Sequence, residues 1–486
     1  MKQTKKRLSG MLAAVMWVSA LTGCAASPDK AALTSKNDGV FQQNMTAAAT
    51  APLDEKILCT DTFTSHDGTT EYTFCLDQEL ISDPLPVVEV VPHFFSGEEV
   101  QHICQVLLGD AQWREQVHEK DPKYSKGELQ KKLKWMTEIA NADALGSLFP
   151  EETSSNGYDF SDEIDTLKRY MQYYTVLLET APEEDPRQLC DWTYRDESLY
   201  VSPSYGNAVI HATAHLGDIE YYVYGVRRDK KDYKLSAISL GVGNNRDYLD
   251  KEYYYSQLLR TEEPTQAQID AAAQKAQSML DQMGVGQWKV SHTQVYEERK
   301  GGGSQYRIHV MAVPVLNGTP AFYKQPIEDL TSKEANAANY HPANVLFSFS
   351  ANGDLINFEM QSPIDTVQVI NDGAAILPVA ELMANAKAHL SLTGLEETRD
   401  YPLLSLYYET PVTCCVTVDR IEFGLIRIKA ADKDFVYDYA PAIAVYATTQ
   451  YYDKGTGDPV DCIFVRNPKE SSCLFWINAI DGSIIP

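Results

Sequence analysis

The sequence is short of basic residues and of long apolar runs. Its 486 residues contain 42 Lys and Arg against 68 Asp and Glu, which gives a formal net charge of −26 at pH 7. This balance argues against a nucleic acid partner, because phosphates would be repelled, and against a polybasic lipid-binding face. Beyond the N-terminus, no segment approaches the roughly 18 uninterrupted apolar residues of a membrane-spanning helix. We therefore expect no such helix in the body of the protein.

Familiar catalytic motifs are also missing from the sequence. It contains no Gly-x-Ser-x-Gly elbow, no phosphate-binding P-loop and no Gly-x-Gly-x-x-Gly after a predicted strand. Acyl transfer on such an elbow and nucleotide binding therefore lack support, and no cofactor is predicted. Two carboxylates that meet only in space, as in glycosidases, would leave no such motif. A hydrolase of that kind stays open as an alternative.

The pair His211 and His215 is the one histidine spacing that suggests a metal site. Residues four apart share one face of a helix, and in a strand they also share one face. A zinc protease of the His-Glu-x-x-His kind needs a glutamate where this chain has Ala212. We interpret both histidines as strand residues, and we keep them as the metal candidates of a metal-dependent enzyme.

The first 24 residues have the parts of a secretory signal in the expected order. A basic start at residues 2–7 precedes a short apolar run from Leu8 to Ala20. This run is too short to span a bilayer, which takes about 20 residues, but it fits the apolar region of a signal peptide. The run closes on four residues: Leu21, Thr22, Gly23 and Cys24.

These four residues resemble the lipobox of bacterial lipoproteins. The resemblance implies that residues 1–23 are a signal peptide, that Leu21, Thr22 and Gly23 are recognised by the signal peptidase, and that the Cys24 sulfur carries a diacylglycerol. Two acyl chains anchor a protein firmly, because each buried CH₂ contributes roughly 0.8 kcal/mol. We therefore expect an extracytoplasmic protein that is held to the cell membrane by the lipid on Cys24.

Residues 24–54 are predicted to be the lipidated cysteine and a disordered spacer. After Cys24 the segment is rich in Ala, Ser, Thr, Asn and Lys and has no apolar periodicity. A spacer of this composition would lift the folded body off the membrane.

Eight further cysteines are too few for a disulfide scaffold in a chain of this length. Cys59 and Cys75 flank a predicted hairpin turn, so that a disulfide could join them across the two strands. Cys462 and Cys473 flank an Asn-Pro turn in the same way. Buried free thiols explain these cysteines equally well, and both alternatives stay open.

The body is predicted to form two α+β domains, residues 55–262 and 263–486, with helices packed on antiparallel sheets. A chain of this size exceeds one typical core. Ser96 with Glu99 forms a capping-box signal for a helix start in the first domain. The alternation of apolar and polar residues in the remaining segments predicts antiparallel strands.

The second domain contains one predicted arrangement twice. A helix at Thr265–Met283 precedes strands that turn at Asn352-Gly353, and a helix that begins at Pro378 precedes strands that end after Asp481-Gly482. A helix with a meander that closes on Asn/Asp-Gly-x-Leu/Ile-Ile resembles the PepSY-like units of bacterial secreted and membrane-associated proteins. With the lipobox, the chain is similar to uncharacterised lipoprotein families of Gram-positive bacteria. This resemblance implies a helix on one face of a sheet and no catalytic residue.

Together, these features favour a non-enzymatic binding or regulatory protein of the cell envelope. Its expected partners are the membrane and an envelope protein or polymer. The alternatives are an envelope hydrolase or metal-dependent enzyme, and a solute-binding lipoprotein of a transporter. A solute-binding lipoprotein would need two doubly wound lobes of alternating strands and helices, and the predicted hairpins argue against that fold. Because the 29 tyrosines suit sheets with one solvated face, we expect any binding surface on tyrosine-rich strands.

Overall fold

The computed structural model describes residues 38–49, 53–109, 111–114, 124–140, 161–184, 207–216, 219–227, 235–242, 262–300, 303–322, 343–394, 412–429, 436–460 and 471–485. Within these ranges the fold is α+β, as the sequence predicts, with six helices and seventeen strands. The helices are α1 (Asp38–Thr46), α2 (Gly97–Leu108), α3 (Lys126–Ala140), α4 (Ser161–Thr180), α5 (Gln266–Met283) and α6 (Val379–Leu392).

The strands are β1 (Leu53–Thr64), β2 (Thr70–Ser82), β3 (Val87–Pro92), β4 (Gln112–Arg114), β5 (Asn207–Leu216), β6 (Ile219–Arg227), β7 (Leu235–Val242), β8 (Trp288–Lys300), β9 (Gly303–Leu316), β10 (Thr319–Pro320), β11 (Asn344–Ser350), β12 (Leu355–Gln361), β13 (Ile364–Asn371), β14 (Val412–Lys429), β15 (Tyr437–Asp453), β16 (Ser472–Asn478) and β17 (Ile484–Ile485).

The chain divides into two compact units, neither of which is a continuous segment. Unit 1 contains Met1–Val88, Val369–Ile428 and Asp438–Pro486, and unit 2 contains Glu89–Gln368 and Lys429–Tyr437. The boundary that the sequence suggests at residue 262 therefore lies inside unit 2. It fails because β7, which precedes residue 262, is paired with β12, which follows it. Pairing between such distant strands leaves no local signal in the sequence.

The sheet of unit 1 follows the strand order β1-β2-β14-β15-β16-β17, and β3 joins it beside β15. β1 and β2 form a long antiparallel hairpin, and β2 pairs in parallel with β14 on its other side. α6 buries Leu382, Ala386 and Leu390 in one core cluster with sheet residues such as Phe74 and Ile443. The apolar positions of α6 that the helical spacing predicts are therefore confirmed.

α1 lies in the segment that the sequence predicts to be a disordered spacer. Phe41 is fully buried, and it packs in a small cluster with unit 1 residues: Val87, Ala374, Ala440 and Ile480. The Asn44 side-chain amide donates to the Ile480 carbonyl oxygen at 2.8 Å, and the Ala49 N–H donates to the Gly373 carbonyl oxygen at 2.8 Å. The prediction of a disordered spacer is therefore wrong for residues 38–49. The sequence contains no local signal for this helix, because a single aromatic residue without apolar periodicity does not indicate a buried helix face.

We predict that Phe41→Ala releases α1 from unit 1. Removing a buried phenylalanine ring costs about 3–5 kcal/mol, and a nine-residue helix is not stable alone in water. Hydrogen exchange with mass spectrometry should show faster exchange across residues 38–49 in this variant. Gln43→Ala, on the exposed side of the same helix, is the control and should exchange like the wild type. Equal exchange in wild type and Phe41→Ala would contradict the docking of α1.

The sheet of unit 2 follows the strand order β10-β9-β11-β12-β7-β6-β5-β4, with β8 paired to β9. α5 lies on one face of this sheet and buries Ala272, Ala276 and Leu280. α2 begins at the predicted capping box of Ser96 and Glu99, and its residues contact α5. One face of the sheet is thus covered by helices.

Each unit contains a helix followed by strands that close on a glycine turn. In unit 2, α5 precedes β8, β9, β11 and β12, and the Lys275 ammonium donates to the Gly353 carbonyl oxygen at 2.7 Å. In unit 1, α6 precedes β14 to β17, and the Asn385 amide donates to the Gly482 carbonyl oxygen at 3.1 Å. Each helix is thus hydrogen-bonded to the turn that closes its own sheet.

Candidate functional site

A row of polar side chains crosses the unit 2 sheet on the face opposite α5. Cross-strand partners in register join Gln294 of β8 to His309 of β9, His309 to Ser348 of β11, and Ser348 to Asn357 of β12. Because register partners place their side chains on the same face, these four residues form one continuous line. We call them the polar row.

Strand alternation explains why the polar row lies on this face. The neighbours of each member in the inner strands are almost fully buried apolar residues: Ile308, Val310, Phe347, Phe349, Ile356 and Phe358. Successive side chains of a strand point to opposite faces, so these neighbours face away from the polar row. The Lys275 ammonium of α5 lies 5.5 Å from the centre of the Phe349 ring, which places α5 on the apolar face.

Glu359 extends the polar row along β12. Its two carboxylate oxygens accept hydrogen bonds from the side-chain amides of Asn357, at 3.1 Å, and Gln361, at 3.2 Å. Gly241 of β7 is the register partner of Asn357, and a Cβ atom at this position would lie 3.2 Å from the Asn357 Oδ1 atom. The amide of Asn357 is thus held by the carboxylate on one side and accommodated by a glycine on the other.

His309 is a neutral member of the polar row at pH 7. Its ring is stacked on the Tyr296 ring, with the centroids 5.3 Å apart and the planes 5° from parallel. Burial, together with the nearby Arg307 guanidinium, lowers the pKa of His309 to about 4. Tyr296 is 47% exposed, so the stacked pair presents one flat aromatic ring to solvent.

The tyrosine-rich strand β6 belongs to the same sheet. Its Tyr221 is almost fully buried, and the Tyr221 hydroxyl donates to the Leu355 carbonyl oxygen at 2.7 Å. Burial, with the nearby Asp354 carboxylate, raises the pKa of Tyr221 well above its ordinary value. Tyr221 is therefore a structural residue. Its neighbour Tyr222 is the register partner of Gly241 in β7.

A second polar cluster surrounds His93, directly after β3. Its Nδ1 atom lies 3.0 Å from the Asp365 carboxylate and its Nε2 atom 3.2 Å from the Glu99 carboxylate. Burial raises the pKa of Glu99, but hydrogen bonds from Ser96 and the proximity of His93 outweigh it, so that the pKa lies below its ordinary value. The imidazole thus joins the start of β13 to the first turn of α2.

We predict that His93→Gln lowers the free energy of unfolding by about 2 kcal/mol, because one amide cannot reach both carboxylates. The Asp365→Asn variant should lose less of the free energy of unfolding, because asparagine keeps an oxygen acceptor for His93 and this side chain is exposed to solvent. Urea denaturation at pH 7 is the measurement. An unchanged midpoint in His93→Gln would show that the imidazole does not hold these elements together.

The two histidines that the sequence marks as metal candidates lie in β5, which confirms the strand interpretation. The register of β5 against β6 shifts between Ile210 and Ala212, and His215 is paired with Glu220. The side chains of His211 and His215 lie outside the described part of the structure. Among the side chains that are described, no group of three or more His, Cys, Asp or Glu could hold a metal ion.

The disulfide suggested for Cys59 and Cys75 does not form. Cys59 is the register partner of Leu76, and Cys75 is the register partner of Thr60. The two cysteines therefore lie on opposite faces of the hairpin: Cys59 packs against the core, and Cys75 is exposed. The hairpin that was predicted between the two cysteines is present, but a register offset of one residue places their sulfur atoms on opposite faces.

The other residues that the sequence predicts to be lipidated, recognised by the signal peptidase or disulfide-bonded include several outside the described part of the structure. Cys462 lies outside the described residues, so its pairing with Cys473 stays a prediction. The signal-peptidase residues Leu21, Thr22 and Gly23, and the lipidation residue Cys24, also lie outside them. In the described ranges, no helix is both long and apolar enough to cross a membrane.

The polar row was not recognised from the sequence. The available signal was a histidine, a serine and an asparagine at alternate positions of strands that are otherwise strongly apolar. That signal shows that each strand has a polar face, but it does not show that the three faces meet. Only the strand register aligns them.

Comparisons with known proteins identify no family. No protein-family model matches the chain, and no curated protein matches it. Among solved structures, the chain is similar to an uncharacterized protein from Eubacterium rectale ATCC 33656, with 10% sequence identity and a TM-score of 0.31. The match covers 88% of this chain and 99% of that chain. At this level of similarity the match carries no argument about function.

Proposed function

We propose that the protein is an extracytoplasmic lipoprotein, anchored through Cys24, that binds a component of the cell envelope without catalysis. The observation that carries the binding role is the polar row. The face toward α5 carries apolar side chains, whereas this face carries polar side chains beside the buried Met311 and Val313 of β9. In the polar row, Gln294 is exposed, His309 and Asn357 are half-buried, and Ser348 is buried. Accessible hydrogen-bonding groups that are held on paired strands suit the recognition of a ligand.

The chemistry of the row favours binding over catalysis. Both oxygens of Glu359 accept hydrogen bonds from amides, which holds this carboxylate in place as an acceptor. His309 is stacked on Tyr296 and neutral at pH 7. These groups can donate and accept hydrogen bonds from fixed positions, which supports recognition. The PepSY-like resemblance and the lipobox are compatible with this role at the cell surface.

The anchor is tested with Cys24→Ala in the host cell. In a detergent phase-separation experiment, the wild-type protein should partition into the detergent phase. Cells grown with an alkyne-labelled fatty acid should attach the label to it. Both results are expected because the lipid is bonded to the Cys24 sulfur. The Cys24→Ala variant should lose both properties. A wild-type protein that stays in the aqueous phase without label would overturn the anchor.

The binding role is tested by sedimentation of the purified full chain with isolated envelope material, with Cys24→Ala present in every protein compared so that the lipid does not hold any of them there. The wild-type protein should sediment with the envelope, and the double variant Asn357→Ala, Glu359→Ala should sediment less. Gln43→Ala lies on α1 in unit 1 and serves as the matched control. Equal sedimentation of the wild type and the double variant would remove the polar row from the proposed function.

A further inference from the structure

We infer that strand β13 is an interface at which two copies of this chain pair edge to edge. β13 is an outer strand of its sheet, since β3 is its one partner among the described strands. Residues 365–369 are exposed in succession, and they include Val367, 52% accessible, and Val369, 41% accessible. This inference goes beyond the proposed binding function and does not depend on it.

The other outer strands of the described sheets are protected against such pairing. An outer strand offers unpaired N–H and C=O groups, and natural proteins keep such strands short or place charged residues on them. β4, β10 and β17 contain only two or three residues each. β1 contains four charged residues and β8 contains five. Both devices prevent another strand from adding to these edges.

β13 has neither protection. It is eight residues long, its sequence IDTVQVIN contains no lysine, arginine, proline or glycine, and Asp365 is its one charged residue. The Asp365 carboxylate lies 3.0 Å from the Nδ1 atom of His93. Two of its exposed residues are valines, which favour the strand conformation and occupy the same face of β13. An edge of this kind is suited to the addition of a further strand.

The exposed edge ends where β13 ends. The Ala49 N–H donates to the Gly373 carbonyl oxygen at 2.8 Å, whereas the next residue, Ala374, donates to the Leu85 carbonyl oxygen on the side of β3. Successive residues of an extended segment direct their backbone groups to opposite sides. Residues 47–49 therefore cover the outer side beyond β13, and the edge that a second copy can use is residues 365–371.

A twofold axis at Gln368 makes this edge complementary to itself. In an antiparallel pair of identical strands, residues equally far before and after the axis lie opposite each other. Val367 of each copy then lies opposite Val369 of the other, so that both exposed valines are covered. Asp365 lies opposite the neutral Asn371, and no like charges meet. An axis at Val367 would instead place the Asp365 carboxylate opposite Val369.

This register favours a second copy over an unrelated strand. Any extended segment could bond to the backbone of β13, but the symmetric pair also forms two valine pairs, and each cross-strand pair contributes roughly 0.2–1 kcal/mol. Seven paired residues form a small interface, and small interfaces are typical of transient complexes. We therefore expect a weak dimer that forms and dissociates reversibly.

The dimer is tested by sedimentation equilibrium of the purified full chain. Cys24→Ala is present in every protein compared, so that a lipid cannot cause association. Over a concentration range of about 1–200 µM, the molar mass should rise from that of the monomer toward that of the dimer. A chain that stays monomeric over the whole range would overturn the inference.

Two lysines on the edge should abolish the pairing. The double variant Val367→Lys, Val369→Lys places like charges directly opposite each other and should weaken dimerisation at least about tenfold. Leu58→Lys is the matched control, because Leu58 is an exposed apolar residue of the outer strand β1, 71% accessible, and it should leave dimerisation unchanged. Circular dichroism checks that both proteins are folded. A folded double variant that dimerises like its parent would place the interface elsewhere and overturn the inference.

Cross-linking tests the register without adding charge. Directly opposite residues of an antiparallel pair have Cα atoms about 4.5–5.5 Å apart, a separation that a disulfide can span. After mild oxidation of Gln368→Cys, mass spectrometry should identify a disulfide between the two copies of position 368. Thr366→Cys is the control, since position 366 lies opposite Ile370 and should not be linked to itself. Absence of the 368 link, or an equal yield of the 366 link, would overturn the pairing.

Discussion

Gly482→Ala should lower the free energy of unfolding of unit 1 by about 2–5 kcal/mol, while Gly353→Ala should cost unit 2 only about 1–2 kcal/mol. The two glycines occupy corresponding places in the turns that close the two sheets. Both have a positive φ, +76° at Gly482 and +86° at Gly353, which costs any residue with a Cβ. This backbone cost is common to the two substitutions.

The difference between the two glycines comes from their surroundings. A Cβ atom at Gly482 would lie 2.5 Å from the Asn385 Nδ2 atom and 3.1 Å from a methyl carbon of Leu377. Asn385 would have to leave its hydrogen bond to the Gly482 carbonyl oxygen. At Gly353 nothing lies within 4 Å of the added atom. Gly482→Ala therefore adds a steric cost in a packed core to the backbone cost.

Chemical denaturation of both variants, followed by circular dichroism, measures the two costs. Hydrogen exchange then locates each loss, since peptides of β16 and β17 should respond to Gly482→Ala and peptides of β11 and β12 to Gly353→Ala. Equal losses in the two variants would show that the Asn385 contact does not constrain the turn of unit 1.

Acidification should destabilise unit 2 through His309. The pKa of this histidine is about 4 in the folded protein, against an ordinary value of 6.5 that applies to the unfolded chain. Between these values the unfolded chain binds a proton that the folded chain does not, so stability is fully present above pH 6.5 and is lost as the pH falls toward 4. A difference of this size corresponds to about 3 kcal/mol.

Urea denaturation of the wild type and of His309→Gln between pH 7.5 and pH 4 isolates this effect. Glutamine does not titrate, so the variant should lose less stability than the wild type over this interval, and the two curves should approach each other in acid. Other titrating groups act on both proteins and cancel in the difference. Parallel curves would contradict the burial of a neutral imidazole at this position.

The sequence alone determined the features that arise between near neighbours in the chain. The capping box of Ser96 and Glu99 starts α2, and helical spacing identified the buried side of α6. The turn at Asn352-Gly353 joins β11 to β12, as its residue types predict. These signals are local because helix caps, amphipathic spacing and tight turns involve residues only a few positions apart.

Tertiary structure alone decided the pairings between distant segments. A register offset of one residue separated Cys59 from Cys75, and the burial of Phe41 turned part of an apparent spacer into α1. The polar row exists only because β8, β9, β11 and β12 are aligned in one register. Strand register is set by the packing of the whole apolar face, so that no short stretch of sequence contains enough information to fix it.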